Sequence, residues 1–259
     1  MRIARVRVGG RVSTAVVKGR TVHLVRGTSF GRLDETGESY PLSKVALLAP
    51  VQPGKVVAIG LNYRSHVESS PVAHGEPEHP EPFLKAATSV IGPGAAIVIP
   101  HDAGRVDEEG EVVAVIGRHC RNLTEAEVDA YVLGYTAGND VSARVWQRAD
   151  LQWWRAKSAD TFTAVGPWIA TDLDPEHLSL TARLNGEVVQ QADTSQLIHS
   201  IRKCIAFISS AMTLERGDLV FTGTPGATYE IHPGDKVEVE VGGVGILVNP
   251  VQAAAGRER

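Results

Sequence analysis

The sequence predicts an α+β fold in which strands outnumber helices, preceded by a small β-rich N-terminal module. Short runs of β-branched residues, separated by glycine turns, occupy much of the first fifty residues. Further along, Glu111 to Gly117 is an almost continuous apolar run, which indicates a strand covered on both faces. Helical patterns lie between the later strands without a regular strand–helix–strand alternation, so a doubly wound sheet is not expected.

The N-terminal module is assigned to residues 1–50 and the main domain to residues 51–259. The strands predicted in the module are Arg2–Val8, Arg11–Val17 and Thr21–Val25. A turn at residues 52–54 leads to residues 55–60, which have the apolar pattern of a buried strand. Residues 69–82 contain four prolines and two histidines and show no periodicity of either kind, which favours a long loop that acts as a lid.

The rest of the main domain mixes short helices and strands. Thr124 to Glu127 has the pattern of a capping box, which predicts a helix that ends near Gly134. Asn185-Gly186 predicts a hairpin with a type I′ turn. Apolar residues at helical spacing predict a helix packed on the sheet, and alternating valines predict a strand with one exposed face. The helix contains Leu197, Ile201, Ile205, Ile208 and Met212, and the strand contains Val237, Val239 and Val241.

The composition is that of an ordinary globular protein of 259 residues, with 43% hydrophobic and 22% charged residues. The net charge of −4 argues against nucleic acid as a partner, because phosphate neutralisation needs a surplus of basic residues. No apolar run is long enough to span a bilayer, and arginines interrupt the region where a secretory signal would lie. We therefore expect a cytoplasmic protein with no membrane partner. Cys120 and Cys204 lie far apart among apolar neighbours and are expected to be buried thiols.

Two glutamates at the start of the buried strand are candidate metal ligands. Glu109 and Glu111 are two residues apart, so in an extended chain they point to the same face, about 7 Å apart. Two like charges beside an apolar core are costly unless a cation or a proton offsets them. The alternative is a solvated strand end next to Asp107 and Glu108, which composition alone favours.

Asp140 is a third candidate ligand, because it follows a strand-like run from Tyr135 to Gly138. If a helix starts near Asp140, then Asp140, Arg144 and Gln147 share one helical face. The alternative is a helix N-cap with an ordinary ion pair to Arg144. Oxygen ligands without a nearby Cys or His cluster favour Mg²⁺ or Mn²⁺ over Zn²⁺.

Six segments of the chain, taken in order, resemble the signature blocks of the fumarylacetoacetate hydrolase superfamily, and together they cover roughly residues 55 to 250. The blocks are Gly60–His66, Glu109–Gly117, Gly134–Arg144, Lys157–Asp160, Asn185–Gln190 and Thr222–Gly226. The resemblance implies a mixed β-roll fold and a homodimer. It also implies an enzyme that acts on a small 2-oxo acid, with a divalent metal held by Glu109, Glu111 and Asp140.

The same resemblance implies roles for residues around the metal. Lys157 would lie beside the 2-oxo oxygen and stabilise its negative charge, whereas the sequence alone would prefer a surface lysine after two tryptophans. Arg144 and Gln147 would bind the carbonyl and distal groups of the substrate. Thr224 would hold the substrate carboxylate through its hydroxyl and backbone N–H, the alternative being a tight turn that needs its flanking glycines.

His66 is where the sequence departs from the family pattern. Many relatives have a His-x-x-Glu pair that activates water, but here the third residue after His66 is Ser69. The nearest glutamate is Glu68, so the candidate catalytic pair is His66 with Glu68, unless a later lid glutamate substitutes or the pair is missing. An intact pair implies hydrolytic C–C cleavage of an acylpyruvate or fumarylpyruvate, which is the first expectation.

A weakened pair favours a different reaction class. Decarboxylation or isomerisation of an unsaturated 2-oxo diacid, of the 2-hydroxyhepta-2,4-diene-1,7-dioate isomerase type, needs mainly the metal and Lys157 as an electron sink. A non-catalytic binder of 2-oxo acids is the third alternative. A dinucleotide enzyme is disfavoured, because no strand–Gly-x-Gly-x-x-Gly–helix unit is present.

Overall fold

Strands dominate the computed structural model, which describes residues 1–69 and 75–256. Twenty strands are assigned within those ranges. In chain order they are β1 Arg2–Val8, β2 Arg11–Lys18, β3 Thr21–Arg26, β4 Asp34–Pro41, β5 Ala46–Leu48, β6 Val56–Gly60, β7 Glu81–Lys85, β8 Val90–Ile91, β9 Ile97–Ile99, β10 Val106–Glu108, β11 Gly110–Ile116, β12 Val132–Asp140, β13 Ser142–Ala143, β14 Thr163–Ala170, β15 Ser179–Leu184, β16 Glu187–Asp193, β17 Leu219–Phe221, β18 Tyr229–Glu230, β19 Lys236–Val241 and β20 Gly245–Ala253.

The helices are few and short. The α-helices are α1 Arg64–Ser69, α2 Arg144–Ala149, α3 Trp154–Ser158 and α4 Ile201–Ala211. Turns of 3₁₀-helix occupy Leu42–Lys44, Ala87–Ser89, Glu125–Ala130 and Thr194–Gln196. Among the helices of the described residues, only α4 is long enough to present an apolar stripe, and it buries Ile201, Cys204, Ile205 and Ile208 against the core. None of the helices in the described part of the chain is long and apolar enough to cross a membrane.

One large sheet and one smaller sheet form the body of the molecule. The large sheet has twelve strands, in the order β4-β3-β2-β1-β14-β12-β11-β17-β6-β7, with β5 paired to β1 and β8 paired to β14. The N-terminal strands join this sheet through the antiparallel pairing of β1 with β14. The smaller sheet has the order β16-β15-β19-β20-β9, and a third set of strands, β13-β10-β18, lies beside the site described below.

Strand β11 lies at the centre of the large sheet and is buried along its whole length. On one face, Val112 and Ala114 belong to a core that includes Leu180 of β15 and Val239 of β19. The opposite face packs into a second apolar cluster through Val113 and Val115. The prediction of a strand covered on both faces is therefore confirmed, and an α+β fold dominated by strands is what the structure shows.

Several local predictions are also confirmed. The three predicted strands of the first 25 residues are present, and the strand after the turn at residues 52–54 is β6. Asn185 and Gly186 both have positive φ, 55° and 92°, as a type I′ turn requires. Cys120 and Cys204 are buried and free. Residues 75–80 of the predicted lid are irregular, and residues 70–74 of that loop lie outside the described residues.

Two helix predictions were wrong. The capping box at Thr124 forms, but it begins a 3₁₀-helix that ends at Ala130, because the chain from Val132 onward pairs with β11. Asp140 does not start a helix either: it is the last residue of β12, and α2 starts at Arg144. In both places the sheet hydrogen bonds available to β12 outweigh the local helical signal.

Candidate active site

Three carboxylates converge where β11 begins and β12 ends. Glu109 immediately precedes β11, Glu111 lies within it, and the backbone N–H of Asp140 donates to the Glu109 carbonyl at 2.9 Å. One oxygen from each of these side chains lies within 4.8 Å of the others, and all three residues are buried. The antiparallel register of the two strands therefore brings together the three residues that the sequence suggested as metal ligands.

This carboxylate cluster fits one hard divalent cation. The donors are all oxygens, and their spacing suits an ion about 2.0–2.6 Å from each of them. Glu111 in particular has no basic partner among the described residues, and its Oε2 accepts only the Gly223 N–H, at 2.6 Å. Burial, together with the negative charges of Asp140 and Glu109, raises the pKa of Glu111 well above its usual range. A cation between the three carboxylates would offset the repulsion between their charges and favour the ionised form of Glu111.

Lys157 is buried beside the carboxylate cluster and is not a surface residue. Its Nζ donates to Glu109 Oε2 at 2.6 Å and to Asp140 Oδ2 at 2.7 Å. Burial favours the neutral amine, but the charges of Asp140 and Glu109 outweigh it and raise the pKa of Lys157. In turn, the positive charges of Lys157 and Arg144 lower the pKa of Glu109 despite its burial. Lys157 is therefore held as an ammonium in the site.

Lys85 is a second buried lysine that sequence reasoning missed. It ends β7, and its Nζ donates to Asp140 Oδ1 and to the Phe162 carbonyl. Burial, reinforced by the nearby charge of Lys157, lowers the pKa of Lys85 in spite of its ion pair with Asp140. The period of two along β7 was the available signal, because it places Lys85 on the same face as Phe83, which lines the pocket.

Arg144 makes hydrogen bonds both to the carboxylate cluster and to neighbouring polar side chains. Its Nη2 donates to Glu109 Oε1 at 2.6 Å, and its Nε donates to Asp107 Oδ2 at 2.9 Å. Its Nη1 donates to Gln147 Oε1 at 2.9 Å, which leaves the amide NH₂ of Gln147 to face a ligand. Arg144 thus orients Glu109 directly, and both Arg144 and Gln147 line the pocket.

Thr224 lines the pocket from the loop that follows β17. Its hydroxyl donates to the Gly110 carbonyl at 2.9 Å and accepts from Gln190 Nε2 at 2.9 Å. Gln190 Oε1 also accepts the Gly110 N–H at 3.0 Å, so this glutamine links the Thr224 loop to β11. The hydroxyl proton of Thr224 is therefore already engaged within the protein.

His66 lines the pocket from α1, but the structure does not bring Glu68 to it. His66 Nδ1 lies 2.6 Å from the Gly226 carbonyl. A carbonyl oxygen only accepts, so Nδ1 carries a proton, and in the neutral imidazole this tautomer leaves the lone pair on Nε2. Glu68 is exposed and does not line the pocket, and Glu76 is paired with Arg64 instead.

These side chains surround a pocket of about 660 Å³, a volume suited to a small molecule. The carboxylate cluster and Lys157 are among its polar lining residues. Phe83 and Trp153 form an apolar wall, with ring centroids 5.4 Å apart in an edge-to-face arrangement. The site therefore has a region for a charged, chelating group and a region for a carbon chain.

Comparisons with known proteins agree with this arrangement. Residues 55–252 match the family described as fumarylacetoacetate (FAA) hydrolase C-terminal, and residues 1–50 match a family described as Rv2993c-like, N-terminal. Oxaloacetate tautomerase Fahd2a, mitochondrial, of Rattus norvegicus is 38% identical over 223 residues, covering 82% of this chain and 71% of the rat protein.

Solved structures show the same fold. A structure described as 5-carboxymethyl-2-hydroxymuconate delta-isomerase from Mycobacterium smegmatis matches with a TM-score of 0.92 and 43% identity, covering 98% of this chain and 100% of that one. Maleylpyruvate hydrolase from Sphingobium sp. SYK-6, solved with manganese and pyruvate, matches with a TM-score of 0.82 and 26% identity, covering the same shares. This chain belongs to the fumarylacetoacetate hydrolase superfamily.

Proposed function

We propose that this chain is a divalent-metal-dependent isomerase or tautomerase of a 2-oxo acid that carries a second carboxylate. The observation that supports it most is the pairing of His66 with a backbone carbonyl, in a pocket that also contains the buried carboxylate cluster and Lys157. Hydrolytic C–C cleavage, the first expectation from the sequence, is not the reaction we propose.

The proposed reaction moves one proton, and two side chains would handle it. His66 Nε2 has the free lone pair and would accept the proton from the carbon next to the 2-oxo group. The Lys157 ammonium would donate a hydrogen bond to the oxygen on which negative charge develops. The proton then returns to that oxygen or to another carbon of the chain, so no water is consumed.

A bound divalent cation would supply Lewis-acid polarisation of the 2-oxo group, with Glu109, Glu111 and Asp140 as its ligands. Arg144 keeps Glu109 in position, and Lys85 does the same for Asp140. The Thr224 N–H would bind the substrate carboxylate at the same end of the pocket. The spacing of the oxygens suits both Mg²⁺ and Mn²⁺.

Hydrolysis would need a histidine that is a stronger base than His66 is with its carbonyl partner. Hydrolysis requires an activated water, and a carboxylate behind the histidine raises its basicity and stabilises the imidazolium that forms. In this chain a neutral carbonyl, that of Gly226, occupies the position behind His66. A carbonyl fixes the tautomer but adds no charge, which suits proton abstraction from a carbon already acidified by the electron sink.

The names of two similar proteins, a tautomerase and an isomerase, also favour this reaction class. The homodimer implied by the family resemblance is part of the proposal. If the chain instead released CO₂, it would be a decarboxylase built on the same electron sink.

The proposal can be tested with the purified protein, Mg²⁺ and the enol form of oxaloacetate. We expect loss of enol absorbance without CO₂ and without a shorter acid, and, in D₂O, exchange of the C3 protons. Treatment with EDTA should abolish the activity and added Mg²⁺ or Mn²⁺ should restore it. The Asp140→Asn variant with the same metal concentration corrects for catalysis by free metal. Release of CO₂ or of an acid fragment in step with the absorbance loss would contradict the proposal.

A further inference from the structure

We infer that Arg148 binds the second, distal carboxylate of the substrate and thereby selects diacids over monoacids. This inference rests on the proposed function, because it assumes that the first carboxylate and the 2-oxo group lie at the carboxylate cluster. It concerns a residue that neither the family resemblance nor the metal site assigns.

Arg148 differs from the other cations of the pocket because it has no partner among the described residues. Arg105 forks onto Asp107, with Nε and Nη2 at 2.7 and 3.2 Å from its two carboxylate oxygens. Arg144 and Lys157 are held by buried carboxylates, as shown above. Arg148 lines the same pocket, is exposed, and makes no hydrogen bond or ion pair within residues 1–69 and 75–256. Its guanidinium is therefore available to a ligand.

The position of Arg148 on α2 places it one helical turn from Arg144, the residue that contacts the carboxylate cluster. Arg144 and Arg148 are four residues apart, so they lie on the same face of the helix, about 6 Å apart along its axis. Arg144 extends to Glu109 in the carboxylate cluster, whereas Arg148 is one turn further from the start of α2. A substrate chelated at the carboxylate cluster would therefore point its far end along the wall that Arg148 lines.

The charge of the pocket also fits a dianion. Among the described residues that line it, Asp107, Glu109, Glu111 and Asp140 balance Arg105, Arg144, Arg148 and Lys157. Lys85, which contacts Asp140, adds one positive charge, and a divalent cation adds two more. A dianionic substrate leaves a residual charge of about +1, whereas a monoanion leaves about +2 on this count.

Guanidinium suits a carboxylate better than other polar groups, because two of its N–H donors match the two carboxylate oxygens. Phe83 and Trp153 line the same pocket and give the connecting carbon chain an apolar surface, and Lys157 Nζ lies 5.1 Å from the centre of the Phe83 ring. The pocket therefore offers the three kinds of group that a 2-oxo diacid requires: a chelating cluster, an apolar surface and a guanidinium that is unpaired in the described part of the chain.

The test compares two 2-oxo acids of equal chain length that differ in the distal carboxylate. The Mg²⁺-loaded protein is titrated with 2-oxoglutarate and with 2-oxopentanoate by calorimetry, for the wild type and for Arg148→Gln. We expect Kd for 2-oxoglutarate to rise about tenfold or more, since each 1.4 kcal/mol is tenfold, and Kd for 2-oxopentanoate to stay within twofold. Arg148→Lys should recover part of the loss.

Arg118→Gln is the matched control, because Arg118 is exposed, does not line the pocket, and its loss changes the net charge equally. It should leave both values of Kd unchanged. Equal weakening of both acids by Arg148→Gln, or no weakening of either, would overturn the inference. Selective binding of the diacid without any turnover would support the role of Arg148 and contradict the proposed function. Failure of the wild type to bind either acid would overturn both.

Discussion

At the scale of single residues, the partner of each polar side chain decides what that side chain can do. Glu109, Glu111 and Asp140 were identified from the sequence, and the structure brings them together as the metal prediction requires. Lys157 was open to two interpretations, and the structure favours the buried one. Binding of a metal ion by these three carboxylates is still a proposal, and the proposed mechanism depends on it.

Other site residues could not be found from the sequence, because their contacts are long-range. Lys85 is 55 positions from Asp140 in the chain, and no motif marks it beyond the alternation along β7. The carbonyl partner of His66 could not be predicted from the sequence either, because Gly226 is 160 residues away and contributes only its backbone. Sequence reasoning could show that the glutamate of the family pattern is missing, but not what replaces it.

The role of His66 gives a prediction with a control in the same helix. His66→Ala should lower kcat for tautomerisation by about 10²- to 10⁴-fold, the usual contribution of a positioned acid or base. Metal affinity, measured by calorimetry, should stay the same. Glu68→Ala should leave kcat within twofold, because Glu68 is exposed and does not line the pocket. Equal losses in the two variants would restore the pair of His66 with Glu68 and argue for hydrolysis.

At the scale of elements, strands were easier to predict than helices. Alternating or continuous apolar runs marked β1, β2, β3, β6, β11 and β19, because burial on one or two faces leaves a period in the sequence. The helical signals at Thr124 and near Asp140 were local, and pairing of β12 with β11 and β14 overrode them. Strand β4 carries no such period because nearly all of it is exposed.

Lys85 links β7, at the edge of the large sheet, to the end of β12. Lys85→Met should lower the free energy of unfolding by about 3–5 kcal/mol, because it leaves the buried Asp140 short of a cation. Added Mg²⁺ should recover part of this loss. Chemical denaturation with and without the metal measures both effects. Lys44→Met replaces an exposed lysine and should leave the free energy of unfolding almost unchanged. An equal loss of stability in that control would contradict the role assigned to Lys85.

The smaller sheet packs against β11 at Gly110. A Cβ built at this glycine would lie 2.9 Å from Ala182 Cβ of β15 and 3.3 Å from Gln190 Oε1. Gly110→Ala should therefore destabilise the protein by about 1–3 kcal/mol through overpacking. Ala182→Gly, combined with it, should recover part of the loss by removing the nearer contact. Thermal unfolding of the two single variants and the double variant gives the coupling, and strict additivity would exclude this packing explanation.

At the scale of the whole molecule, the sequence predicted the fold class and the family but not how the first fifty residues join the rest. Strands β1 to β4 extend the large sheet, with Arg2 opposite Ala170 in β14. The division into residues 1–50 and 51–259 remains a proposal about domain organisation. No pattern within the module could reveal this pairing, because its partner strand lies about 160 residues away.

The homodimer is also a prediction at this scale. Large apolar side chains are exposed on the single chain, among them Leu84, Leu151 and Trp154. Such side chains suit a subunit interface, and light scattering should give twice the mass of one chain. A mass equal to one chain at micromolar concentration would contradict the dimer.

The central claim is that Glu109, Glu111 and Asp140 together hold one divalent cation. The most direct measurement is anomalous scattering from crystals grown with Mn²⁺ and oxalate, which has the two adjacent oxygen donors of a 2-oxo acid. The account predicts a single manganese peak about 2.0–2.6 Å from one oxygen of each carboxylate, with oxalate on the open positions. A manganese peak elsewhere in the pocket, or none beside these three side chains, would contradict it.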